Sequence, residues 1–173
     1  MRVTDTLPEA IETARLRLRA PRNDDLGPLV EKANDWAVLE PTATLPYPYL
    51  EEHGRGFIER ASRNPQRPYV MAERKTDTLM GVIGLYLYAD RPVELGYWLG
   101  RDHWGQGLVA EAAAALLDAA AAAGLSPVRA RVLAHNAGSI RVLEKCGFAV
   151  VEHTQSLVER HRGKPLLILE WSR

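Results

Sequence analysis

A single cysteine, Cys146, occurs in the 173 residues of this chain. That excludes an intrachain disulfide and any zinc site built on paired cysteines. Charge excess is missing as well: 22 Lys and Arg residues stand against 22 Asp and Glu. Such a chain lacks the positive field that drives sequence-independent binding to phosphate backbones, so a nucleic-acid partner is not expected. Long apolar runs are also absent. A membrane-spanning helix needs about 20 consecutive apolar residues, and the longest approach to one, an alanine-rich stretch, is interrupted by Asp118. The opening residues, MRVTDTLPEAIETARL, are broken by charges and Pro8, which does not read as a secretory signal. What is left is ordinary globular composition, of a length that buries roughly 70% of its unfolded surface without staples. The expectation is one domain over residues 1–173, cytoplasmic, away from membrane and nucleic acid.

Local patterning gives the order of elements. Arg15-Leu16-Arg17-Leu18-Arg19 has the two-residue period of a half-buried strand. Asn23-Asp24-Asp25 offers a cap and an acidic first turn to a helix carrying Leu26, Leu29 and Val30. Pro41 to Pro48 reads as a loop, and Glu51 to Arg63 as a polar helix weakened by Gly54 and Gly56. Strands at Tyr69–Lys75 and Leu79–Tyr88, joined at Thr76-Asp77, form a hairpin, and Val93–Leu99 is a third strand. A glycine-bearing loop, 101–107, opens a helix from Leu108 to Ala123 that Gly124 stops. A strand at Val128–Ala134, a helix at Ala137–Lys145 closed by Gly147, and strands at Phe148–Val151 and Leu166–Trp171 complete the chain. The strand–helix–strand step implies a parallel pair with a right-handed crossover. The fold class is α/β with a mixed sheet.

The stretch Trp104-Gly105-Gln106-Gly107-Leu108-Val109-Ala110-Glu111 joins a strand to a helix N-terminus, where free N–H groups and the helix dipole favour an anion. No G-x-x-x-x-G-K-[ST] string occurs, which removes a P-loop. Gly105, Gly107 and Ala110 do satisfy G-x-G-x-x-A. No acidic residue follows between Ala119 and His135 to hold a ribose, although Arg129 or Arg131 would suit a 2′-phosphate. An ordinary glycine turn fits this loop too.

One strand further on lies Asn136-Ala137-Gly138-Ser139-Ile140-Arg141-Val142-Leu143-Glu144-Lys145-Cys146-Gly147-Phe148. Together the two stretches resemble the GNAT superfamily of acetyl-CoA-dependent N-acyltransferases, and within it the RimJ/RimL-type branch. Thr13 to Arg19, Leu45-Pro46-Tyr47-Pro48-Tyr49 and Glu94-Leu95-Gly96-Tyr97-Trp98-Leu99 support the likeness, which extends from about Thr13 to Phe148. It implies a largely antiparallel mixed sheet flanked by helices, with a splayed parallel strand pair at a coenzyme cleft. It also implies acetyl-CoA as cosubstrate, no metal, and an amine acceptor that is a small molecule or a protein N-terminus; a homodimer is compatible with it.

By the same resemblance, backbone groups of Tyr97, Trp98 and Leu99 line the pantetheine arm. The N–H groups of Gly105, Gln106, Gly107, Leu108 and Val109 receive the pyrophosphate, Asn136 caps the second helix and touches the arm, and Arg141 meets the 3′-phosphate. The family pattern Q/R-x-x-G-x-G/A meets Trp104 at its first position and Val109 at its last, changes that backbone donors survive. Many GNAT enzymes carry an acid tyrosine where this chain has Leu143; in the RimJ/RimL-type branch Ser139 is the candidate. Glu94 is the candidate base, directly or through water. Plainer readings accompany each: a solvent-facing strand glutamate, a solvated helix serine, a simple N-cap, and a solvated face for Arg141 and Lys145. Cys146 reads as a small buried hydrophobe rather than an acyl-carrying nucleophile. His103 and His135 have no partners at metal-ligand spacing. Loops 34–52 and 156–165 are expected to shape the acceptor pocket, with Trp36, Tyr47 and Tyr49 either facing the acceptor or pinning the loop. Two other functions remain open: a non-catalytic acyl-CoA-binding module and a nicotinamide-dinucleotide protein.

Overall fold

The structure, a computed structural model, describes residues 7–61 and 68–173. Alternating apolar residues make its strands: β1 (Ile11–Glu12), β2 (Leu16–Arg19), β3 (Pro68–Glu73), β4 (Leu79–Tyr86), β5 (Val93–Leu99), β6 (Val128–Leu133), β7 (Ala149–Gln155) and β8 (Pro165–Trp171). They form one sheet in the order β1-β2-β3-β4-β5-β6-β8-β7. Every neighbouring pair is antiparallel except β5 and β6. The helices are α1 (Leu26–Ala33), α2 (Trp36–Leu39), α3 (Glu51–Ala61), α4 (Leu108–Ala122) and α5 (Ala137–Lys145). α4 is the crossover between the parallel strands, as the strand–helix–strand order requires. One parallel pair in an otherwise antiparallel sheet is not the doubly wound arrangement of a dinucleotide-binding fold.

The sheet separates two hydrophobic layers. On one face, Leu16, Tyr69, Ile83 and Leu95 pack with Ala112, Ala113 and Leu116 of α4 and Leu143 of α5. The alanines that make α4 low in complexity are the residues that let it lie close on the strands. On the other face, Leu29, Leu39, Tyr49 and Val70 form a smaller core under α1 and α3. Between β4 and β5, Gly81 is required by close approach: a Cβ there would lie 2.3 Å from the Trp98 carbonyl oxygen.

Four details depart from the sequence expectation. β1 and α2 are too short to leave a period. β4 ends at Tyr86, two residues early, and in the turn that follows Arg91 sits over the Tyr88 ring, 3.7 Å from its centroid. β7 is longer than expected and exposed on both faces, so it shows no alternation. The third arginine of the β2 alternation is buried: Arg19 is 5% exposed and makes a two-pronged pair with Asp25 (2.8 and 2.9 Å), while its Nε donates to Asp77 (2.8 Å). Asp25, expected as part of a helix cap, is therefore an ion-pair partner that also accepts the Arg22 N–H (2.7 Å). The expected helix residues Ser62 and Arg63 lie outside the described residues. Among those described, no helix is long and apolar enough to cross a membrane.

Candidate active site

β5 and β6 pair only at Val93↔Val128 and Glu94↔Arg129. β4 stays bonded to β5 as far as Leu99, and β8 to β6 as far as Leu133. The two parallel strands therefore diverge after Glu94, leaving the β6-facing edge of β5 without a strand partner. An amide-bearing chain laid there can bond that edge as an added strand would. The gap is the middle of a continuous cavity of about 2050 Å³, lined by Leu95 to Leu99, the glycine loop, α5 and the loops beyond the α1 face. This exceeds the ~300–1,000 Å³ typical of a single small-ligand site.

At the end of β5 the chain makes a short 3-10 turn, Arg101–His103, and enters the glycine loop. The Trp104 indole donates to the Leu99 carbonyl (2.7 Å), tying the loop to the strand end. Gly105 (φ +74) and Gly107 (φ +75) adopt the left-handed backbone that glycine supplies at no steric cost. Gly107 is the N-cap of α4, so the N–H groups of the first turn have no partner within the helix. Gly105, Gly107, Leu108 and Val109 line the large cavity. Gln106 turns outward into a smaller pocket of about 350 Å³, where its carbonyl accepts Arg15 Nη1–H (2.8 Å). Arg15 is in turn held by Glu111 of α4, through its Nε (2.9 Å) and its backbone N–H (3.0 Å), and Thr13 Oγ1 donates to the same carboxylate (2.6 Å). Burial alone would raise the Glu111 carboxyl; the bonds from Thr13 and Arg15 outweigh it and hold the group below its usual value. His103, beside the loop, is held below its usual value by burial and by Lys32.

α5 brings the second motif to the cleft. Asn136 is its N-cap, with Oδ1 accepting the Ser139 N–H (3.2 Å), and both residues line the cavity. Ser139 Oγ is hydrogen-bonded to the Tyr97 hydroxyl across the cleft. Leu143 is 1% exposed in the core. Arg141 and Lys145 lie on the exposed side of the helix, at the cavity's edge. Cys146 is half-buried, its Sγ directed at the Ala110 carbonyl (3.6 Å), and burial pushes its thiol up. That is the environment of an inert thiol.

Glu94 marks the opposite end of the divergence. Its Oε1 accepts Arg131 Nε–H (2.9 Å) and lies 3.9 Å from Arg91 Nε. Glu94 and Trp98 alternate with Leu95, Tyr97 and Leu99, which places the carboxylate on the α1–α3 side of the sheet and the Tyr97–Ser139 contact on the α4–α5 side. The two loops expected around an acceptor meet here. Arg160, in the β7–β8 connection, donates to the carbonyls of Leu39 (3.0 Å), Thr42 (3.3 Å) and Leu45, while buried His161 contacts the Glu40 carbonyl. Of the loop aromatics, Tyr49 is buried and pins the segment. Trp36 and Tyr47 are exposed and meet edge to face, with centroids 5.2 Å apart.

Comparison with known sequences settles the family: residues 15–149 match the acetyltransferase (GNAT) domain. The chain belongs to the GNAT acetyltransferase family. It is similar to an uncharacterised N-acetyltransferase, p20, of Bacillus licheniformis, at 26% identity over 147 residues, covering 81% of this chain and 82% of the relative. Its fold is similar to a GNAT-family acetyltransferase of Bacillus anthracis (TM-score 0.84, 20% identity, covering 94% of this chain and 98% of that one). It is also similar to the microcin C7 self-immunity acetyltransferase MccE, solved with acetyl-CoA and AMP (TM-score 0.80, 18% identity, covering 96% and 97%). Members of the family transfer acetyl groups from acetyl-CoA, and the mixed sheet with its single parallel pair is the GNAT fold.

For this GNAT chain, the structure brings most of the expected residues to one cleft: Tyr97, Trp98, Leu99, Gly105, Gly107, Leu108, Val109, Asn136, Ser139, Arg141 and Glu94 all line the same cavity. Gln106 does not line it; that residue lies in the smaller outer pocket, where its carbonyl accepts from Arg15. Sequence reasoning gave no role to Arg15 and Glu111, or to the Tyr97 side chain. The first pair are 96 residues apart, and only the fold brings them together; the cue was an arginine in the Thr13–Arg19 stretch and a glutamate in the first turn of α4. Among the described residues, no group of three or more His, Cys, Asp and Glu is placed to hold a metal.

Proposed function

We propose that the chain is an acetyl-CoA-dependent N-acetyltransferase of the RimJ/RimL type, moving the acetyl group directly to a primary amine of a protein N-terminus or a small molecule. One observation carries this reading: a single cavity runs from the glycine loop, through the gap between β5 and β6, to Glu94 on the far face. Both substrates have a place at once, and the half-buried, raised Cys146 is not suited to carry the group between them.

In this reading the N–H groups of Gly105, Gly107, Leu108 and Val109 hold the pyrophosphate at the N-terminus of α4. The free edge of β5 at Tyr97–Leu99 pairs with the pantetheine amides, beside Asn136, and Arg141 meets the 3′-phosphate. Backbone N–H groups of that edge polarise the thioester oxygen as charge develops on it. Ser139 donates its hydroxyl to the departing sulfur. A coenzyme thiol, like a cysteine of pKa about 8.5, needs only a hydrogen bond to leave. Glu94, with its Oε1 held by Arg131, presents the remaining oxygen to the amine or to a water. An α-amine of pKa about 7.7–8.0 is already partly neutral at pH 7, whereas a lysine near 10.4 needs about 4.6 kcal/mol to deprotonate. A weak or water-mediated base suits the first kind of acceptor.

The test is thiol release from acetyl-CoA with a panel of amines: alanyl and seryl dipeptide amides, spermidine, and an aromatic monoamine. The reading expects release with at least one of them, and Glu94→Gln should lower kcat/KM most at low pH while leaving acetyl-CoA affinity unchanged. Stabilisation by acetyl-CoA with no release on any amine would replace the enzyme by a binding module. Stabilisation by a nicotinamide dinucleotide and none by coenzyme A would replace both.

A further inference from the structure

Tyr97 lines the cleft, and its side chain makes a contact of its own. The alternation of β5 sends Tyr97, with Leu95 and Leu99, toward α4 and α5. There its hydroxyl meets Ser139 Oγ, from an element 42 residues further along the chain. Ser139 is fixed independently, its N–H held by Asn136 Oδ1. Leu143, one turn further on, is packed in the core, so that position of α5 brings no hydroxyl to the cleft.

A pair of hydroxyl groups shares one hydrogen bond, and which group donates decides where the other hydrogen goes. A phenol is a far stronger acid than an aliphatic alcohol, so Tyr97 donates and the serine oxygen accepts. Burial raises the Tyr97 pKa, against a smaller lowering by the Ser139 bond, so the phenol keeps its proton at neutral pH. Among the described residues Tyr97 is the only side-chain partner of Ser139 Oγ. The serine hydrogen is then left to point away from Tyr97, into the cavity that both residues line.

We propose that Tyr97 is a positioning residue for acetyl transfer: by donating to Ser139 Oγ it aims the serine O–H at the leaving sulfur. The proposal rests on the role given to Ser139 above. As the amine nitrogen bonds to the acetyl carbon, the C–S bond breaks and its electron pair passes to sulfur, where the serine hydrogen meets it. The amine proton leaves to Glu94 or water, the thiolate is later protonated from solvent, and the Tyr97 proton does not move.

Tyr97→Phe removes one oxygen and keeps the packed ring. With the best acceptor of the amine panel and saturating acetyl-CoA, kcat should fall about 5–10-fold while acetyl-CoA Kd stays within about twofold. Ser139→Ala should fall by roughly 10–100-fold, and the double variant should be no slower than Ser139→Ala alone, because Tyr97 acts only through that serine. A purely structural role would instead make the two losses multiply. Wild-type kcat in Tyr97→Phe, or multiplying losses, overturns the proposal while a slow Ser139→Ala still supports the serine. Wild-type kcat in Ser139→Ala overturns both.

Discussion

Arg15 is the place where the geometry of the glycine loop, and the coenzyme-binding role proposed for it, can be tested without touching the cleft. In a trans peptide the C=O of one residue and the N–H of the next point in opposite directions. When Arg15 Nη1 holds the Gln106 carbonyl on the outer side (2.8 Å), the Gly107 N–H is turned to the other side, where Gly107 lines the cavity. One side of this peptide is the left-handed Gly107, whose φ turns at little steric cost, so without the clamp the peptide rotates more easily. Arg15→Ala removes that bond and the Nε–Glu111 pair, while the backbone N–H of residue 15 and Thr13 still hold Glu111. A hydrogen bond to a charged group contributes about 1.5–3 kcal/mol, and less for one as exposed as Arg15, whose side chain is 48% accessible. Taking about 1–1.5 kcal/mol, acetyl-CoA Kd should rise about 5–13-fold. Tm should fall by only about 2–4 °C, the equivalent of about 1 kcal/mol in a chain of this size. Calorimetric titration of acetyl-CoA, with kcat measured at saturation, separates the effects: Kd should change and kcat should not. A lowered Tm with unchanged Kd would show that the clamp only holds the fold together and would refute the loop argument.

Other outcomes follow from the packing. Asp25→Ala leaves a guanidinium that is 5% exposed short of its two-pronged partner, and should cost about 3 kcal/mol, measured by urea denaturation. Arg19, foremost by its hydrogen bond, holds the Asp77 carboxyl below its usual value, so the stability it contributes is present above the unfolded pKa of about 3.9 and is lost as pH falls through the folded value. Wild type should therefore be more stable than Asp77→Asn at pH 7, with the gap closing in acid; a gap independent of pH would contradict this. Gly81→Ala, whose Cβ would sit 2.3 Å from the Trp98 carbonyl oxygen and 2.9 Å from Leu99 Cα, should destabilise by about 3 kcal/mol or more. Gly105→Ala meets no atom within 4 Å. It should cost about 1–2 kcal/mol from its backbone angle and be felt mainly in acetyl-CoA affinity.

The parts of the fold legible in the sequence were those with a period or a stop signal. Leu16 and Leu18 gave β2, and the strand–loop–helix–strand order around Gly105 and Gly107 gave the parallel pair, while the opening between those strands came only from the family resemblance. Asn136 was legible as a cap because its side chain acts within its own turn. What escaped depends on partners distant in the chain. Arg19 looks like the exposed half of an alternation until Asp25 and Asp77 are brought to it. Arg15 and Glu111 have no local reason to be linked, and Arg160 reaches carbonyls more than 100 residues away. Tyr97 shows how a backbone assignment hides a side chain, for the spacing of a strand tells which face a residue occupies and not which hydroxyl it will meet.

The central claim is direct acetyl transfer between two substrates held in one cleft. Initial-rate thiol release, with acetyl-CoA and the best amine varied against each other, tests it most directly when paired with mass measurement of the protein incubated with acetyl-CoA alone. The account predicts intersecting reciprocal plots, one acetylated amine per thiol released, and no acetylated protein before the amine is added. Parallel plots with an acetyl group on the protein would contradict it.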